Sequence, residues 1–228
     1  TAIETVWEQN RAVMQGGGIM VTSVSPLLLT GCRFSENNAT VGGGVYTQNS
    51  SDITARASMG AGNVAAVNGG GVATGRSIDV YLLSCIFAGN AAMMMHGGGV
   101  YVADNCQVTA TGTSWEDNMA RMEGGGVALY DQSQLYLTRC VFSSNTATSG
   151  GGVYAEDVCH VEANYSVWIS NMASEEGGGI GVLDEVLLSL RECNFTMNEA
   201  MSGGGVCAMD HCNVSVASCM WMHIVTNM

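Results

Sequence analysis

The stretch "NTATSGGGVYAED", residues 145–157, sets three glycines in a row ahead of a valine and a tyrosine. Taken alone it reads as a hinge, because glycine loses more backbone freedom on ordering than any other residue. The chain repeats it, however. Gly triplets begin at 16, 42, 69, 97, 124, 150, 177 and 203, at intervals of 26 to 28 residues. A fixed period of this length is the signature of a stacked-repeat architecture and outranks any local reading.

Aligning the copies on the triplets exposes further columns. An asparagine stands five to seven residues ahead of each triplet: Asn10, Asn37, Asn63, Asn90, Asn118, Asn145, Asn171 and Asn198. Two residues after each comes alanine, from Ala12 to Ala200. Three residues before it comes an aromatic ring: Trp7, Phe34, Phe87, Trp115, Phe142, Trp168 and Phe195. Only the third copy, "SMGAGN", lacks the ring. Valine or isoleucine follows every triplet. Each copy thus reads as three short alternating segments, the pattern of half-buried strands. In one copy the inward positions are Leu135 and Leu137, Cys140 and Phe142, Val153 and Ala155. Nothing sustains a helical period.

Three strands and three turns per copy predict an all-β parallel β-helix spanning residues 1–228 as one segment of eight to nine coils. A single coil cannot bury its interior, but a stack buries a continuous one. At about 4.8 Å per coil the rod is roughly 40 Å long. The triplets then mark a corner where missing Cβ atoms permit tight turning and close backbone approach. The asparagines mark another corner, with amides able to hydrogen-bond from coil to coil. Coils also alternate in type, giving a two-coil cell of about 53 residues. Phe copies carry Leu, Leu and Cys (Leu188, Leu190, Cys193, Phe195). Trp copies carry smaller partners (Val161, Ala163, Ser166, Trp168), as a close-packed interior requires.

The pairing of F-x-x-N with a following G-G-x-aliphatic tetrad, as in "FSEN…GGGV" and "FSSN…GGGV", resembles the repeats of the polymorphic outer-membrane proteins of chlamydiae. This resemblance covers essentially the whole chain. It implies a right-handed parallel β-helix displayed at the cell surface, with an adhesive role. The copies depart from that family's usual pattern in carrying Gly at the third tetrad position and Trp in half of the rings.

Composition narrows the function. The chain has seven basic residues against twenty acidic ones and a net charge of −13. That argues against nucleic acid, which needs a basic footprint, and against an anionic membrane surface. No apolar run approaches the ~20 residues of a membrane span. A polysaccharide-degrading enzyme is disfavoured: the chain has no Lys, its Arg are scattered, and His96, His160, His211 and His223 fall in differing registers. An active site breaks repeat symmetry, which this sequence mostly keeps. The expectation is a non-catalytic extracellular structural or adhesive rod, part of a surface filament or large surface protein.

Trp7 and Trp221 share a register, and the chain stops just after Asn227, where the next column residue is due to be alanine. Neither end reads as a cap, so both are expected to stack on further coils or subunits.

Four sets of residues are candidates for contact or modification. Tyr46, Tyr101 and Tyr154 follow the triplet valine and would edge a side-chain-free groove, the basis of an alternative carbohydrate-binding reading. Asp104, Asp131, Asp157, Asp184 and Asp210 recur seven residues beyond the first triplet glycine, where earlier copies have Ser23, Asn49 and Arg76. They suit a turn or, alternatively, a row of calcium ions. Sequons at Asn38, Asn49, Asn164, Asn194 and Asn213 would mark a secreted glycoprotein. Cys32, Cys85, Cys140, Cys193 and Cys219 form an inward column expected to stay reduced, and Cys207 with Cys212 could bridge a turn.

Overall fold

Hydrogen bonds leave each short strand toward the strand one coil on, about 27 residues away, so every pairing in the computed structural model is parallel. The structure describes residues 1–49 and 51–226. Within them the chain winds as a four-sided coil whose strands stack into sheets of nine, nine, eight and eight strands. One coil shows the order: Gln134–Thr138 in sheet 1, Val141–Ser143 in sheet 2, Thr146–Ser149 in sheet 3 and Val153–Ala155 in sheet 4. Among the described residues no helix is long and apolar enough to cross a membrane.

The coil therefore has four strands, not the three expected. The additional strand is the stretch between the asparagine and the triplet. It is bracketed by two left-handed residues, Ser144 (φ 54°) and Gly150 (φ 62°), which turn the chain at both of its ends. The turn ahead of sheet 3 is made by the residue before each asparagine (Glu36, Asp117, Ser144, Ser170, Met197), not by the asparagine itself. Left-handed residues also mark the other corners, with a pair of them between sheets 4 and 1, as at Asp157 and Val158.

The three glycines of a triplet answer to three different constraints. The first takes positive φ in every copy, 60° to 68°. The second lies against backbone: a Cβ on Gly125 would sit 2.4 Å from the Gly151 carbonyl oxygen. The third passes beneath a ring, and a Cβ on Gly152 would meet Trp168 Cδ1 at 2.7 Å. All three N–H groups of the triplet at 124–126 donate to the next coil, at 3.0 to 3.2 Å. The triplets are thus tightly packed backbone bound coil to coil, not free hinges.

Two ladders run through the interior. The rings stack from Phe87 to Trp221 with centroids 4.2 to 5.7 Å apart, and Trp7 stacks on Phe34 at 4.6 Å. The asparagines form the second ladder. Asn118 Oδ1 accepts from both the N–H and Nδ2 of Asn90, while its own Nδ2 donates to Asn145 Oδ1 and to the Phe87 carbonyl. Each buried amide inside the ladder is fully satisfied, as a buried polar group must be. At the far end Ile224, three residues after Trp221, holds the asparagine position. Thr226 rather than a further alanine pairs with Ala200, and Asn227 lies outside the described residues.

The ring column has one gap, at Gly60. Between Phe34 and Phe87 lies an apolar cavity of about 30 Å³ touching Ile53, Ala55 and Val72. A Cβ on Gly60 would meet nothing closer than Phe87 Cδ1 at 3.4 Å, an ordinary contact. Gly60→Ala is expected to stabilise the chain by about 1 kcal/mol, from lost unfolded-state freedom and partial filling. Denaturant unfolding checks this; a destabilised variant would mean the slot has no spare room.

Candidate functional site: the acidic and aromatic outer face

Sheet 4 turns one residue of each strand outward, giving the column Met20, Tyr46, Ala73, Tyr101, Ala128, Tyr154, Gly181, Cys207. From Tyr46 onward large and small alternate with the two-coil cell, while Met20 breaks the pattern at the first coil. These tyrosines are not the exposed groove edge that their outward register suggested. Tyr46 is 8 % and Tyr154 5 % exposed, and Tyr101 is half-buried. The Gly corner lies against this outward residue: a Cβ on Gly150 would sit 2.6 Å from Tyr154 Cβ, and one on Gly97 2.8 Å from Tyr101 Cβ.

Tyr130 completes the cluster. Its ring centroid lies 5.8 Å from Tyr101 and 6.0 Å from Tyr154, filling the space over Ala128. Its hydroxyl donates to Glu123 Oε2 at 3.0 Å and lies 3.1 Å from His96 Nδ1, and His96 is in turn paired with Glu123. The Tyr154 hydroxyl donates to Glu156 at 3.1 Å. Burial, reinforced by the carboxylates, pushes the Tyr130 and Tyr154 hydroxyls far above the usual phenol range. Burial, followed by Asp131 and Asp104, brings Tyr101 to about 12. All three phenols are therefore neutral donors at physiological pH. His96, Glu123 and Tyr130 were not singled out in the sequence. The available signal was register, since His96 and Glu123 each stand immediately ahead of a triplet.

The aspartate column falls at a left-handed corner. Asp104, Asp131, Asp157, Asp184 and Asp210 all take left-handed backbone, φ 46° to 62°, as do Ser23, Asn49 and Arg76 in the earlier copies. Asp and Asn tolerate that region better than most residues. All five carboxylates are exposed. Glu156, Asp157 and Asp184 bring oxygens within 4.8 Å of one another. Burial first, then Asp104 and Asp157, raises the Asp131 pKa, and burial likewise raises that of Glu156. A carboxylate whose folded-state pKa is raised costs stability once ionised, and that cost disappears as pH falls through the folded value. Mild acidification from neutral pH should therefore raise the melting temperature, and Asp131→Asn should weaken the dependence. The turn origin also predicts no shift on adding millimolar calcium or chelator. A sharp fall on chelation, abolished by replacing the five aspartates with asparagine, would establish calcium instead.

The sequons lie outside the core. Asn38, Asn49, Asn194 and Asn213 are exposed, and half-buried Asn164 donates to Glu162 at 2.9 Å. All nine cysteines are free, including Cys207 and Cys212, the latter packed against the core. Burial raises Cys140 and Cys193 to about 11 and Cys159 to about 12, so these thiols resist becoming reactive thiolates. Cys32, Cys85 and Cys140 alternate with Ser58, Thr113 and Ser166, whose hydroxyls accept the cysteine N–H at 3.1 to 3.3 Å.

A parallel coil with an interior amide ladder and a ring stack defines a β-helix solenoid. The chain belongs to the right-handed β-helix family: the model of the right handed beta helix region matches residues 4–142. Residues 139–156 also match the Chlamydia polymorphic membrane protein repeat, over the stretch holding Phe142, Asn145, Ala147 and the triplet at 150. No curated protein and no solved structure matches the chain significantly.

Proposed function

We propose that the chain is a non-catalytic segment of a surface-displayed β-helix rod, structural or adhesive in role, whose end coils stack on further coils or subunits. The observation that carries this is the unbroken interior, where the amide ladder from Asn10 to Asn198 stays in step through every copy. The outer cluster points the same way, because His96, Glu123 and Tyr130 satisfy one another instead of facing a common reactive point. The polymorphic-membrane-protein repeat supports a surface location. Stacking is supported by Val214, Val216 and Trp221, which continue inward columns yet are 39 to 46 % exposed on the last coil.

Analytical ultracentrifugation tests the stacking. Residues 1–228 should self-associate end to end, and Val214→Lys with Val216→Lys should give a monomer. A wild-type chain that stays monomeric at high concentration would contradict it. The carbohydrate alternative loses two of its tyrosine faces to burial. Glycan-array binding that disappears in Tyr101→Ala would reinstate it.

A further inference from the structure

The two-coil cell places Gly75 at the position Tyr130 holds one cell later: Val72, Ala73, Thr74 and Gly75 correspond to Val127, Ala128, Leu129 and Tyr130. In the later cell the Tyr130 ring fills the space over Ala128 between Tyr101 and Tyr154. In the earlier cell the flanking rings are Tyr46 and Tyr101 and the small residue is Ala73, but no third ring fills the gap, which only the Asp104 carboxylate enters. A cleft of about 210 Å³ remains, lined by Tyr46, Ala73, Gly75 and Tyr101, with Gln15, Asp104 and Asp131 among its polar residues.

We propose that this cleft binds an aromatic side chain, tyrosine above all, presented by a partner polypeptide, in the place that Tyr130 takes in the neighbouring cell. The molecule supplies its own template for the occupant in the Tyr130 ring, seated against Tyr101, Tyr154 and Ala128. At the cleft Tyr101 offers the open face, Tyr46 being 8 % exposed, and the places of His96 and Glu123 are taken by Val41 and Asn68, so the hydroxyl of the occupant meets Gln15, Asp104 and Asp131 instead. The carboxylates of Asp104 and Asp131 line the cleft, so a tyrosine flanked by basic residues gains charge complementarity as well. Gly75 has ordinary negative φ, and a Cβ there would meet only the Asp104 carboxylate, at 3.3 Å. The position therefore accepts a side chain, and its emptiness is not forced by the backbone.

The proposal rests on the adhesive side of the role above and is tested separately from stacking. N-acetyl-tyrosinamide, then an Arg-Tyr-Arg peptide, is titrated while NMR shifts are followed. Saturable shifts are expected at Ala73, Gly75 and Tyr101, with the peptide binding more tightly. Gly75→Tyr should plug the cleft, weaken binding at least about tenfold and raise the melting temperature. Tyr130→Gly should open a second cleft, with new shifts around Ala128. Absence of shifts at Gly75 in the wild type, unchanged binding in Gly75→Tyr, or binding of monosaccharides in place of the phenol would overturn it. End-to-end association retained in Gly75→Tyr leaves the rod reading standing whichever result is found.

Discussion

Replacing Asn118 by alanine will destabilise the chain by about 4 kcal/mol or more, a large effect for a polar side chain. The substitution deprives Asn90 of the acceptor for both its N–H and its Nδ2, and the Phe87 carbonyl of a donor, all inside a 0 % exposed column. A buried polar group left without a partner costs about 1–3 kcal/mol, and water has no route to repair a break between sealed coils. Alanine also leaves a void beside Trp115. Urea unfolding at neutral pH checks the figure. A loss under about 1 kcal/mol would mean the ladder is incidental to stability.

Gly125→Ala is expected to be at least as damaging, although it adds a single methyl group. Its Cβ would lie 2.4 Å from the Gly151 oxygen and 2.7 Å from both N and O of Thr146. Every one of those atoms is backbone, already hydrogen-bonded in a neighbouring strand or coil, so no side chain can swing away to relieve the overlap. Coils 124–126 and 150–152 would have to part, losing the bonds between them. The effect should exceed about 4 kcal/mol and show as loss of soluble, cooperatively folding protein. Gly89→Ala is the matched control. Unlike Gly125 it has positive φ, 61°, but nothing lies within 4 Å of its Cβ, so even with that backbone penalty it should cost only about 1–2 kcal/mol. Equal behaviour of the two variants would contradict the packing explanation.

The features legible in the sequence were those that recur in nearly every coil, Gly60 in the ring column and Ile224 in the asparagine column being the departures. The ring, asparagine, alanine and glycine columns each answer to a constraint imposed by the coils above and below, so the chain repeats them and their spacing reveals them. Inward residues such as Leu135, Phe142 and Val153 followed directly from alternation, and all are fully buried. The fourth strand was hidden because its left-handed boundaries are held by residues as different as Glu36, Asp117, Ser144 and Met197, which share a backbone conformation and no chemistry. The burial of Tyr46 and Tyr154 was hidden for another reason: strand alternation says which side a residue faces, not what lies against it there. The pairing of His96 with Glu123 was legible only as register: both stand immediately ahead of a triplet, but the other copies hold Gln15, Val41, Asn68, Ser149, Glu176 and Ser202 there, so no shared chemistry marks the column. The aspartate column was visible as charge, and the left-handed backbone it shares with Ser23, Asn49 and Arg76 emerged only with the dihedral angles.

The measurement that bears most directly on this account is amide hydrogen exchange, read residue by residue, across the glycine triplets. If the triplets bind coil to coil, the N–H groups of Gly125, Gly126 and Val127, which donate to Gly150, Gly151, Gly152 at 3.0 to 3.2 Å, will be among the slowest to exchange. Protection should match that of the neighbouring strand Val141–Ser143 and fall toward the two end coils. Exchange of the triplet amides at the rate of exposed loops, with protection confined to the strands between them, would show that the glycines are hinges and that the continuous four-sided coil is wrong.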